Sequence, residues 1–506
     1  MKKFLGLLFF AGILIGCGNK QEGIYNVLDH GANKDGKTLT TESIQKTIDK
    51  CHQEGGGVVL VPKGDYLVGT LNLRSNVELR FETGARLIAT LDLAQYQRHN
   101  TELAGVFYTE DADNVAITGR GVIFGQGMEF MQAGNAKVIA GPVLDYVRQK
   151  DGSFRKVSSG VGDGPLHPND RFHQMIVFSN CTNITLTDFT CIDSPYWCFV
   201  IVHCDRITIH DLKIDNNLLI PNGDGLDIIS CSNVNVSDCY FSCGDDAIVV
   251  SGYDWHFGDP GFKRITRPSK NINFNSCILR SRSSAIRIGG WDQNEMSNYS
   301  FNNITIFDSN CGINIQIRDY AGVENLSFSN FRIETRLHTG DWWGNGEPIR
   351  ISTMEGTGNE SGSIKNVSFT NITTNGENAI YVYADKEGKI ENLSFTNFNF
   401  HLRQGELANV TGGNIDLRPT AITDKEFFAS DIPIIHLENV KNVYFNGGNL
   451  SWGDDVKEKY FTTAVNAVNV NNLKLNNMTG TASPSNPTLP AVITKGCKSV
   501  INNINK

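Results

Sequence analysis

A chain of 506 residues, 40% hydrophobic and 20% charged, has the composition of a globular protein and is long enough for one large repeat domain. Its formal charge of −9 argues against nucleic acid as a partner, because phosphate binding needs a basic face; a local basic cluster for an acidic sugar stays compatible. Fifty glycines against fourteen prolines favour many tight turns over a proline-rich disordered chain.

Lys2 and Lys3 precede an apolar run from Phe4 to Ile15 that is too short to span a bilayer as a helix. The run ends in Leu14-Ile15-Gly16-Cys17, which resembles a bacterial lipobox. The expectation is a signal peptide over 1–16, acylation of the Cys17 thiol, a tether over 17–23 and a single domain over 24–506. An ordinary signal peptide cut elsewhere is the alternative. The mature body is expected to be a cell-envelope lipoprotein, facing the periplasm or the cell surface and held to a membrane through Cys17. Eleven of the twelve cysteines then remain, an odd number.

Residues 40–53, TTESIQKTIDKCHQ, place Ile44, Ile48 and Cys51 on one helical face. The spacing predicts a helix that caps the open end of a solenoid. A short phrase then recurs: Asn, an alternation of apolar and polar residues, and a polar turn. Copies begin at Asn76, Asn114, Asn183, Arg206, Asn233, Asn271, Asn298, Asn325, Asn366, Asn392, Asn442 and Asn472. Period-two alternation argues strand, and a fixed coil length argues a solenoid of strands, with longer spacings as inserted loops. Residues 127–170 carry no copy and read as a long loop.

Register between copies aligns Ile248, Ile286, Ile313, Ile349 and Ile380 in one stack. Alternating facing then turns Val249, Arg287, Asn314, Arg350 and Tyr381 outward on the same sheet. Cys181, Cys204 and Cys231 each stand two residues before a copy, as an interior ladder of small side chains would; disulfides between adjacent coils stay open. A single β-helix solenoid of this kind is expected to be a monomer.

The sharpest local signal is Asn222-Gly223-Asp224-Gly225-Leu226-Asp227 followed by Gly244-Asp245-Asp246. In register, Asp224 falls beside Asp245 on a neighbouring coil, and parallel strands lie about 4.8 Å apart. Three crowded carboxylates raise one another's pKa. Glycoside hydrolysis uses such a set: one acid protonates the leaving oxygen while another activates water. A calcium site and ordinary turn chemistry are the competing readings. Asp227 is read as facing inward, with a structural role. Insertions after the acids are rich in aromatics: Trp255, Trp291, and Trp342 with Trp343 are candidates for stacking on sugar rings. Glu347 stands in the same stretch as the last pair.

The opening YNVLDHGANKDG, then GGGVVLVPKGDYLVGTLNLRSNVEL, GRGVIFGQG, SPYW, NGDGLDI and CGDDAIVV, resembles glycoside hydrolase family 28, the polygalacturonase family. The resemblance covers roughly residues 24–330. It implies a right-handed parallel β-helix and an inverting hydrolase of a pectic or related acidic polysaccharide, with no metal or other cofactor. It implies Asp245 as general acid, with Asp224 and Asp246 positioning and deprotonating the attacking water; Asn222, which opens the same motif, is expected to contact the substrate. Two departures stand out. The family's Gly-His-Gly falls on Ser283-Ser284-Ala285, and its carboxylate-binding Arg-Ile-Lys falls on Asn314-Ile315-Gln316. Ser284, Asn314 and Gln316 are therefore expected to contact a different sugar or linkage. Arg287 and Arg350 are candidates to rebuild a carboxylate contact, with surface ion pairs as the alternative, and Arg318 is a weaker one. His256 is a candidate to replace the missing histidine. A β-helix lyase and a non-catalytic carbohydrate-binding β-helix are the competing functions.

Overall fold

The structure, a computed structural model, describes residues 23–136, 166–254, 266–338, 343–356, 358–406, 408, 413–425 and 427–505. They wind into a parallel β-helix whose strands form three sheets, two of which fuse from Met296–Ser309 onward as single strands turn the corner between them. Crossovers between parallel strands of one sheet are right-handed, which sets the hand of the coil. The third sheet runs from Glu102–Glu110 to Val492–Lys495 and carries the candidate site.

The recurring asparagine has a physical cause. Asn76, Asn114, Asn183, Asn233, Asn271, Asn298, Asn325, Asn366, Asn392, Asn442 and Asn472 all adopt positive φ, the left-handed conformation Asn tolerates. Their side-chain amides also form a ladder: Asn298 Nδ2 donates to Asn271 Oδ1 at 3.2 Å, Asn325 to Asn298 at 3.2 Å and Asn366 to Asn325 at 3.0 Å. The apolar positions just inside stack likewise. Phe328 lies between Phe301 and Phe369, with centroids 5.1 and 4.9 Å away and rings within 10° of parallel. Phe328→Ala should cost about 3–5 kcal/mol, read as a lower urea midpoint; a change within error would mean that the stack contributes no stability.

The isoleucine stack is present as expected, with Ile248, Ile286, Ile313 and Ile349 paired in sequence and Ile380 following, all buried. Cys181, Cys204 and Cys231 form the interior ladder as free thiols: the Cys181 backbone N–H donates to Cys204 Sγ at 3.2 Å, and that of Cys204 to Cys231 Sγ at 3.3 Å. The helix Thr41–Gln53 buries Ile44, Ile48 and Cys51 against the first coils, closing the N-terminal end. Within the long loop expected over 127–170, Met131–Ala136 pairs antiparallel with Leu166–Pro168, and residues 137–165 lie outside the described residues.

Asp227 corrects the sequence reading. It pairs with Val249, and Val249 with Arg287, so all three belong to the outward row. Its neighbours Leu226 and Ile228 fill the core, and pleating turns the residue between them the other way.

Candidate active site

Asp224 sits in the turn that leads into the strand Leu226–Ile229, and Asp245 and Asp246 sit in the turn before Ile248–Ser251. Gly225 lets these coils meet. A Cβ there would stand 2.4 Å from the Ala247 carbonyl oxygen and 2.8 Å from Cys243 Sγ. Its N–H instead donates to the Asp246 carbonyl at 2.9 Å. Oxygens of Asp224, Asp245 and Asp246 consequently lie within 4.8 Å of one another.

The three differ in environment. Asp224 and Asp246 are buried, whereas Asp245 is partly exposed at the mouth. Asp246 accepts from the Ser284 N–H at 2.8 Å and from Arg287 Nη1 at 3.0 Å. Asp224 Oδ1 is buried with no hydrogen-bond partner among the described residues. Burial, then the charges of Asp245, Asp227 and Asp246, hold the Asp224 carboxyl well above the usual range, against the pull of Arg287. Burial also raises Asp227, opposed by Arg287. Burial works against the Arg287 charge, but Tyr253, Asp246, Asp224 and Asp227 together hold the guanidinium above its ordinary value. The site thus combines a buried carboxyl with a raised pKa, a second carboxylate paired to a guanidinium, and a third at the surface. Such a set can donate a proton and activate water. The same oxygens could also hold a cation, and Arg287 already supplies a positive charge beside Asp246.

The model of the family described as glycosyl hydrolases family 28 matches residues 51–411. The chain belongs to this family. It is a polygalacturonase-like glycosidase acting on O-glycosyl bonds. An exopolygalacturonase of Zea mays is 24% identical over 320 residues, covering 58% of this chain and 70% of the maize protein. An exo-poly-alpha-D-galacturonosidase of Dickeya chrysanthemi is 26% identical over 258 residues, covering 44% of this chain and 41% of the Dickeya protein. The family 28 exopolygalacturonase of Yersinia enterocolitica superposes with a TM-score of 0.62 at 17% identity, over 94% of this chain and 78% of its own. A hyperthermoactive exopolygalacturonase of Thermotoga maritima superposes at 0.50 and 19% identity, over 85% and 88%. At those identities the two structures bear on the fold.

In this family 28 chain the departures form one polar network along the outward row. Ser284 Oγ accepts from Asn314 Nδ2 at 3.3 Å, and the same amide donates to Gln316 Oε1 at 3.2 Å. Arg350 Nε donates to Asn314 Oδ1 at 3.1 Å. Ser284, Asn314, Gln316 and Arg350 are all buried. Arg287 joins the acids directly. Arg350 also donates to the Asp416 carbonyl and lies under an inserted segment. Arg318 is spent on that segment: it donates to the carbonyls of Pro419 and Leu417 at 2.5 and 3.0 Å and to Ser352. Glu347 is buried and accepts from the Asn345 N–H. Trp291 is half-buried against Tyr253, with centroids 6.2 Å apart. Trp343 is half-buried, and its carbonyl accepts from Asn310 at 2.9 Å. Asn222 has a positive φ and faces Arg171 Nη2 at 3.5 Å. Trp255, His256, Trp342 and Cys17 lie outside the described residues.

Sequence reasoning missed Asp227, Tyr253, Asp292 and the segment around Asp416. For Asp227 the signal was present, since its register with Val249 follows from the adjoining isoleucines. Asp292 gave none. It is buried, accepts from the N–H groups of Gly252 and Gly290 at 2.7 and 2.5 Å, and is pushed up to about 7 by burial against those donors and Arg287. A carboxyl raised in the folded state binds more protons there than when unfolded. Stability from this group is therefore present at acid pH and lost as pH rises from the ordinary aspartate range to about 7. The melting temperature should climb on acidification from about pH 8 to about pH 5, and Asp292→Asn should flatten that slope. An unchanged slope in the variant would remove Asp292 from the account.

Proposed function

We propose that this family 28 hydrolase is exported, anchored through Cys17, and cleaves a pectic or related acidic polysaccharide with inversion. Asp245 acts as general acid, and Asp224 and Asp246 hold and deprotonate the water. The observation that carries this reading is the approach of the three carboxylates to within 4.8 Å with Arg287 Nη1 3.0 Å from Asp246. Of the three, Asp245 is the one at the mouth, where a leaving oxygen can reach it. The three carboxylates stand closer together than the about 6.5–9.5 Å common between inverting pairs, so their spacing is no argument for inversion. Inversion itself rests on the family resemblance. Neutral Asn314 and Gln316, tied to each other, favour a sugar that presents no carboxylate at that position.

Incubation with a panel of pectic polysaccharides and oligosaccharides tests the reaction class. New reducing ends without ultraviolet-absorbing unsaturated ends are expected; absorbing ends would make the enzyme a lyase, and no products a binding protein. Proton NMR of the first-formed anomer tests inversion. Cys17→Ser should move the protein from the membrane fraction to the soluble one.

A further inference from the structure

The outward row of the third sheet runs past the acids in both directions. Before them it holds Tyr108, Val177 and Val200, and after them Asn314, Arg350 and Tyr381, each in register with its neighbour. This face is the track along which a polymer could extend on both sides of the scissile bond, at about 4.8 Å per coil. None of the six residues is more than 3% exposed. The track is covered on either side of the site.

Before the acids the cover is apolar. Tyr108, Val177 and Val200 belong to one cluster, and Trp197 and Tyr253 pack against it. The His99 ring lies 4.1 Å from the Tyr108 ring. Uncovering such a cluster returns apolar surface to water, which opposes entry of a sugar there.

After the acids the cover is an inserted hairpin, in which Asn414–Asp416 pairs antiparallel with Phe427–Ala429. It is tied down over several coils. Arg350 holds the Asp416 carbonyl, and Arg318 holds those of Leu417 and Pro419. Asn345 Nδ2 and Asn378 Nδ2 both donate to the Asn414 carbonyl at 2.9 Å, and Thr420 Oγ1 donates to that of Glu355 at 2.8 Å. Within it Arg418 pairs with Asp416 at 2.7 Å, with side chains 5% and 0% exposed. Separating a buried ion pair is costly, so the hairpin is a fixed wall rather than a loop that a sugar displaces. Between the two covers Asp245 stays partly exposed.

Resting on the hydrolase reading, we propose that the acids work from a blind pocket that takes the end of a chain, entered through the mouth at Asp245. The Asn414–Ala429 hairpin is its stop on one side, and the cluster under Trp197 and Tyr253 is its stop on the other. Sugars beyond the first few then lie in solvent and add nothing to binding.

The test counts protein molecules per chain. The Asp245→Asn protein is titrated calorimetrically with trigalacturonate, with longer galacturonate oligomers and with rhamnose-interrupted pectic fragments of matched length. One protein per chain is expected at every length, since a chain has one end of each polarity. A count that rises with length overturns the pocket, and so does a failure to bind any of these probes. With the active protein, new reducing ends should accumulate while the viscosity of the polymer barely falls; an early collapse of viscosity overturns it as well. In the Asp245→Asn background, replacing residues 417–426 by Asn-Gly closes the hairpin with a two-residue turn and removes the stop. The longest oligomers should then gain about tenfold in affinity over trigalacturonate, a length dependence the Asp245→Asn protein itself lacks. No gain in a variant that still melts cooperatively overturns the role of the hairpin; should the variant not fold, the count on the Asp245→Asn protein decides alone. Failure of the hydrolase reading shows separately, as unsaturated ends or no products from the active protein, and leaves the count to judge the pocket.

Discussion

Asp245→Asn should lower turnover by about 10²- to 10⁴-fold, the contribution of a positioned proton donor. Asparagine keeps the shape and the oxygen that accepts from the Asp246 N–H at 3.0 Å, so the turn survives and oligosaccharide binding stays nearly intact. The leaving group makes the test specific. A nitrophenyl glycoside departs without protonation, so the variant should cleave it almost as well as the parent does. Asp224→Asn should fail on both substrates, because it disables the water. The structure offers a rival assignment, since burial raises the Asp224 carboxyl well above its ordinary range. If Asp224→Asn is the variant rescued by the activated substrate, the two roles exchange. Equal activity of Asp245→Asn on a natural polysaccharide would end the acid assignment outright.

Arg287→Ala should destabilise the protein by about 3–5 kcal/mol near neutral pH, the usual consequence of stripping one partner from a buried ion pair. Its side chain is 12% exposed and Asp246 is 1% exposed, so water cannot replace the lost charge. Arg287 lowers the pKa values of Asp224 and Asp227, and its loss lets both rise further. The sign follows from linkage: raised carboxyls favour the folded state at low pH and disfavour it as pH climbs through their folded values. The deficit should therefore shrink in acid and grow toward alkali. Arg287→Lys restores charge without the fork, so it should recover part of the stability and less of the activity. Melting curves across pH check this; a deficit independent of pH would show that packing, not charge, is what Arg287 contributes.

Much of the fold could be read from periodicity. The asparagines that open each phrase mark a left-handed backbone and an amide ladder, and the isoleucines two residues apart define the inner row. Both repeat once per coil, so the same local rule applies at every turn. The acid cluster was legible for the same reason: Asp224 and Asp245–Asp246 occupy equivalent places in successive coils. Asp227 was misread although the same register contained the answer. Leu226 and Ile228 claim the inner positions, which leaves the residue between them outside.

Other features had no repeat to announce them. Arg350 and Arg318 lie on the outward face by sequence, yet both are covered by the segment near Asp416 and Leu417, whose carbonyls they hold. Asp292 gained its raised pKa from burial, against the pull of the N–H groups of Gly252 and Gly290, and the cavity lined by Leu93, Arg171, His173 and Tyr196 joins turns about a hundred residues apart. By itself the sequence determined the coil, its inner stacks and the meeting of three aspartates, because adjacent rungs repeat one short-range pattern. Only the tertiary structure decided which of those acids is buried, which cation faces them and which arginines are spent holding loops. Burial and charge depend on what inserted segments fold over, and no period within the coil encodes that.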